Sequence, residues 1–188
     1  MKLSALILTL GFAAGSPLLA ADGPQTGVSE SVRVVLDVAG RQFLSAAEAM
    51  PERLYTFAPP GPGFDGVRTF AEQIKHVACG QFAFFNEIEH KTPPEHCEKG
   101  GPAKASTKSE LLQYLRDSFE YGNKVLAAMT DARAQEKVQG QYWGNNSSLT
   151  VAIAAAWHIA DHYGQIVPYL RLNNIVPPQT QRYPVAVR

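Results

Sequence analysis

Four segments of this chain repeat apolar residues at three- and four-residue steps, and no stretch competes with an alternating strand pattern. That spacing puts the apolar side chains on one face of a helix and asks for partners to cover it. The first stripe is Val32, Val35, Leu36, Ala39, Phe43, Ala46, Ala47 and Met50, ending at Pro51. Thr69 and Glu72 form a capping-box pattern that opens the second, whose stripe is Phe70, Ile74, Val77, Phe84, Phe85 and Ile88. Thr107 and Glu110 repeat the pattern before the third, with Leu111, Leu115, Phe119, Gly122, Leu126 and Met129. Ser147 or Ser148 caps the fourth, which should run to about Leu172 and end at Asn173-Asn174 before Pro177-Pro178. Between them lie connections rich in Gly, Pro and Ser, including Pro59 to Gly63, the long loop from His90 to Thr107, and a polar stretch from Thr130 to Asn146. The expected fold class is all-α, a four-helix bundle with long connecting loops that permit crossovers.

The N-terminus points to export. Met1-Lys2 gives a short basic start, Leu3 to Ala14 an apolar run, and Ala20-Ala21 a small-residue cleavage point, although Leu18 or Leu19 fills the position three residues before the cut. The run is too short to span a bilayer. Residues 1–21 are therefore read as a signal peptide and 22–188 as one domain, periplasmic or secreted after cleavage. Without Lys2 the charges stand at 16 basic to 17 acidic with no basic patch, which excludes nucleic acid as a natural partner. No second long apolar segment exists, so no membrane insertion of the mature chain is expected, and a homodimer is neither marked nor ruled out. Two cysteines in an exported protein usually pair, so Cys79–Cys97 is the expected disulfide. The alternatives are that Cys79, one turn beyond His76, is a metal ligand, or that both thiols are free.

His158 and His162 lie four apart on the fourth helix, so both imidazoles share one face and can reach one ion. That face also carries Val151, Ala154, Ala155, Gln165 and Tyr169. His76 adjoins the buried stripe of the second helix, on a face with Gln73, Gly80, Ala83 and Glu87. Both histidine faces are low in bulk, which suits an open metal site and equally suits close helix packing. His90 and His96 in the long loop read as solvated residues rather than a second site. Asp161, flanked by the histidine pair, is a candidate to orient an imidazole or to act as a base, and Gln165 and Tyr163 flank the same place. Trp157 and the phenylalanines of the second helix read as core.

The runs His76-Val77-Ala78, His158 through Gln165 and Tyr169 through Pro178, together with Arg68 to Gln73, resemble the DinB/YfiT-like metalloenzyme family over roughly residues 28–180. The resemblance implies a four-helix bundle in which His76, His158 and His162 bind a divalent ion, most naturally zinc or nickel, with a fourth position open to water. Pro168 departs from the family pattern and should bend the fourth helix beyond both ligands. Some relatives are transferases that use cytoplasmic thiols, which an exported protein would not meet. The favoured activity is therefore metal-dependent hydrolysis of an unidentified small molecule, with Asp161 as the catalytic candidate. A non-catalytic metal- or small-ligand-binding module of the cell envelope is the second reading, and bis-histidine haem a third. No Ser-His-Asp nucleophile arrangement or phosphate loop is visible.

Overall fold

The computed structural model describes residues 27–140 and 144–182, so the leader expected over 1–21 lies outside the described residues. Four long helices carry the fold: α1 (Val28–Ala49), α2 (Phe70–Ile88), α3 (Lys108–Ala127) and α5 (Ser148–Leu172). Two five-residue helices, α4 (Asp131–Gln135) and α6 (Pro178–Arg182), accompany them. All three expected caps form. Thr69 and Thr107 each accept from the amide three residues on, while Glu72 and Glu110 reach back, and Ser147 accepts from the Thr150 amide. These bonds satisfy donors that a helix start otherwise leaves bare.

Each long helix packs on two others: α1 on α3 and α5, and α2 on α3 and α5. Chain neighbours α1 and α2 thus sit diagonally, as do α3 and α5, and the long connections at 50–69 and 128–147 make those crossings. Phe43, Phe70, Phe85, Leu115, Ile159 and Ile166 are fully buried between the helices. Each such side chain contributes about 1.5–3 kcal/mol of burial. Gly122 on α3 gives the Phe85 ring its place, since a Cβ there would overlap the ring.

Three features differ from the sequence reading. The polar stretch after α3 holds α4 and a two-stranded antiparallel hairpin, β1 (Lys137–Gly140) with β2 (Gly144–Ser147). Only Val138 of these eight residues is buried, so the segment has too little apolar alternation to announce a strand. Trp157 is not core: it is 59% exposed, on a face of α5 that the other helices leave uncovered. Val35 of the first stripe is exposed too, because α1 carries more valine than its two neighbours can cover. α5 runs through Pro168 without interruption to Leu172.

Candidate metal centre

The site is built where α2 meets α5. Gln81, fully buried on α2, donates Nε2–H to the Ala155 carbonyl at 3.0 Å and so ties the two backbones together one turn from the histidines. At that crossing Gly80 leaves room for a ring, since a Cβ at this position would stand 2.9 Å from Cε1 of His158. The structure brings His76, His158 and His162 together, with one ligand-capable atom from each lying within 4.8 Å of the others. The ring centroids are 4.5–5.1 Å apart. Phe84 packs edge-on against His158 with centroids 5.3 Å apart, walling the cluster from the core side.

Two of the three rings are aimed by bonds on the side away from the cluster. His76 donates Nδ1–H to the Cys97 carbonyl at 2.6 Å, and His162 donates Nδ1–H to Oε1 of Gln73 at 2.8 Å. With the proton on Nδ1, each ring keeps an Nε2 lone pair for the centre. Gln73 then donates Nε2–H to Oε1 of Gln165 at 2.9 Å, and Gln165 donates to Oδ2 of Asp161 at 2.8 Å, so an amide chain runs from the buried ring to the surface.

The donor set fits a divalent ion. Nε2 of His76 and Nε2 of His158 lie 3.2 Å apart, close to the roughly 3.3 Å that tetrahedral zinc imposes between two nitrogens at about 2.0 Å each. The His76 nitrogen at this contact is an acceptor, so without an ion His158 must donate from Nε2 and leave its buried Nδ1 lone pair unpartnered among the described residues. An ion between the rings would take both Nε2 lone pairs and so replace the nitrogen-to-nitrogen contact, while the His158 Nδ1, then protonated, stays without a partner among the described residues. Electrostatics agree with neutral ligands. Burial, then the neighbouring His162 and His76, pushes His158 down to about 3. Burial and next His76 push His162 down to about 4, against the pull of Asp161. Burial also holds His76 below the ordinary imidazole range, opposed by its bond to Cys97.

The cluster opens into a cavity of about 400 Å³ whose lining includes Arg68, Glu98, Trp157 and Asp161. Asp161 is thus at the site, though it bonds Gln165 rather than an imidazole. Cys79 and Cys97 are joined, Cα atoms 5.2 Å apart, which removes Cys79 as a ligand. The bridge pins the turn Cys97–Lys99 against α2, and that turn supplies the carbonyl that aims His76. His90 and His96 are exposed loop residues with positive φ that face Glu136 and Glu98, apart from the cluster. The aiming roles of Gln73 and of the Cys97 carbonyl, and the presence of Arg68 in the cavity, were not foreseen. Gln73 shares the His76 face and was open to inference, whereas the other two depend on how the loops fold back.

Comparison with known proteins agrees with this architecture. Residues 36–166 match a family model described as the DinB superfamily. Among solved structures, a conserved protein from Enterococcus faecalis superposes with a TM-score of 0.62 at 15% identity, covering 77% of this chain and 96% of that one. At that identity the likeness speaks to the fold alone. A search of curated proteins finds no match.

Proposed function

The chain belongs to the DinB superfamily, and on that premise we propose that His76, His158 and His162 hold one divalent ion, zinc or nickel, for the hydrolysis of a small molecule. The observation that carries the reading is the pair of outward Nδ1–H bonds, to the Cys97 carbonyl and to Gln73, which leave Nε2 lone pairs facing one point. A divalent ion on three imidazoles supplies Lewis acidity and brings the pKa of bound water to about 7. The residues do the rest. The neutral rings need give up no proton at physiological pH. Phe84 backs the cluster on the core side, and the disulfide-bound turn packs over His76, whose Nδ1–H it accepts. Asp161, on the cavity lining with Oδ2 held by Gln165, is placed to accept a proton from water entering the cavity.

Export to the periplasm or beyond belongs to the same proposal. It is supported by the disulfide, since such bridges persist in oxidising compartments. The second reading, a binding module without turnover, draws on the absence of any bond from Asp161 to an imidazole.

Elemental analysis of untagged protein beside His158→Ala tests the metal reading. About one zinc or nickel per wild-type chain, lost in the variant, is the expected result, and no metal in either after reconstitution would overturn it. Hydrolysis of 4-nitrophenyl acetate by the loaded protein, lowered in Asp161→Asn at unchanged metal content, separates the enzyme from the binding module.

A further inference from the structure

Beside the metal cavity lies a second one of about 410 Å³, between α1 and α5. Val28, Val32 and Val35 form one wall and Ile153, Ala156 and Trp157 the other, with Ser31 the only Ser, Thr, amide or charged residue of the lining among the described residues. Val35, Ile153 and Trp157 are each more than half exposed. Large apolar side chains grouped in a concave surface mark a ligand or partner site rather than the scatter normal for a protein exterior. What identifies the occupant is continuity, because Trp157 lines this groove and the metal cavity alike. A molecule seated over the histidines therefore meets apolar surface on leaving past Trp157.

The metal cavity has a cation in its lining. Arg68, half-buried just before α2, donates Nε–H and Nη2–H to the Glu98 carbonyl at 3.3 and 3.0 Å. That neutral acceptor leaves its charge uncompensated, and no carboxylate pairs with Arg68 among the described residues. The two carboxylates that share the lining are engaged elsewhere, Asp161 by Gln165 and Glu98 by His96. A guanidinium fixed by two of its donors keeps others for a planar anion.

Resting on the metal reading above, we propose that the substrate is an anionic amphiphile: a carboxylate held by Arg68, a reacting bond over the three histidines, and an apolar arm passing Trp157 into the α1–α5 groove. Neither an inorganic anion nor a neutral apolar molecule would use all three regions.

The test uses the full mature chain carrying Trp143→Phe, which leaves Trp157 as the only tryptophan. Its emission is followed while straight-chain carboxylates of six to about twelve carbons, below their micelle concentrations, are titrated into zinc-loaded and metal-free protein, with the matching alcohols as controls. Each added methylene should lower Kd by about three- to fourfold, from about 0.8 kcal/mol per buried CH₂. Arg68→Gln should weaken carboxylate binding by about 10-fold or more and leave the alcohols unchanged, as loss of a charge-assisted hydrogen bond implies. Arg68→Lys should restore part of it, which a merely misfolded loop would not. Ile153→Ser should flatten the chain-length dependence.

Equal binding of alcohols and acids, or no effect of Arg68→Gln, overturns the proposal. So does sedimentation showing that Val35→Glu splits a dimer, since the groove would then belong to a second copy of the chain. The two readings fail separately. Carboxylate binding with this pattern in a protein that takes up no metal sinks only the metal centre, and metal uptake without carboxylate binding sinks only the amphiphile.

Discussion

His76 and the pair on α5 meet at one point, but they are held there by different means. His162 stands on a 25-residue helix and is aimed by Gln73, a side chain of the facing helix, so two regular elements determine its position. His76 is aimed by the backbone carbonyl of Cys97, in a loop outside the bundle, and that loop is fixed to α2 by a covalent bridge. One side of the centre thus inherits its accuracy from helix packing, and the other from a disulfide. The helical side should survive whatever the bundle survives, while the loop side adds a dependence on oxidation that the fold alone does not have.

Removing the bridge should give the largest effect. Cys79→Ala with Cys97→Ala opens a loop with a sequence separation of 18, and a loop of that size is worth on the order of 3 kcal/mol. Chemical denaturation measures that loss. Metal affinity should also fall, through His76, and if it does not, the carbonyl bond is not what aims that ring.

Gln73→Leu attacks the other side. Outer partners of a metal-bound histidine are typically worth 10–100-fold in affinity, and competition with a chelator should show a loss in that range while thermal stability changes little. A variant that unfolds instead would mean that Gln73 serves the bundle rather than the site.

Acid separates the two sides again. An imidazole whose folded pKa lies below its unfolded value of about 6.5 takes up protons more readily when unfolded, so it weakens the fold as pH drops. The metal-free protein should therefore be fully stable above pH 6.5 and lose stability toward pH 4, with a slope approaching about 1.4 kcal/mol per pH unit for each histidine withheld from protonation. His158 and His162 are pushed down to about 3 and about 4. Most of the slope should vanish in His158→Gln with His162→Gln and largely remain in His76→Gln, as read by urea midpoints across the pH range.

Gly80→Ala should be the mildest change in stability. Alanine favours a helix over glycine by about 1 kcal/mol, but its Cβ forces His158 to move. The expected outcome is an unfolding free energy within about 1 kcal/mol of wild type and a clear loss of metal. Unchanged metal content would show that the ring has slack.

The helices and their caps were legible because each is written locally: Thr69 with Glu72 and Thr107 with Glu110 need only three residues to form a capping box. The three histidines were legible for a related reason, since His158 and His162 share a face by spacing alone and His76 matches a family pattern. The hairpin was not, because the backbone pairing of Lys137–Gly140 with Gly144–Ser147 leaves almost no trace in side-chain polarity. Nor was the exposure of Trp157, which follows from how the helices are arranged rather than from any residue near it in the chain. Arg68 reaches the cavity through a contact with Glu98, thirty residues away, that only the folded loops create.

Gly80 has one more consequence. Mid-helix glycine is the less stable choice, and the atoms nearest to the space it leaves all belong to the ring of His158. On the metal reading, a descendant that no longer needed the His158 ring in this place would gain helix stability from a larger residue than glycine. The same reading makes the residue at this position in a related chain a record of use: glycine where three rings still share one ion, a larger side chain where they do not.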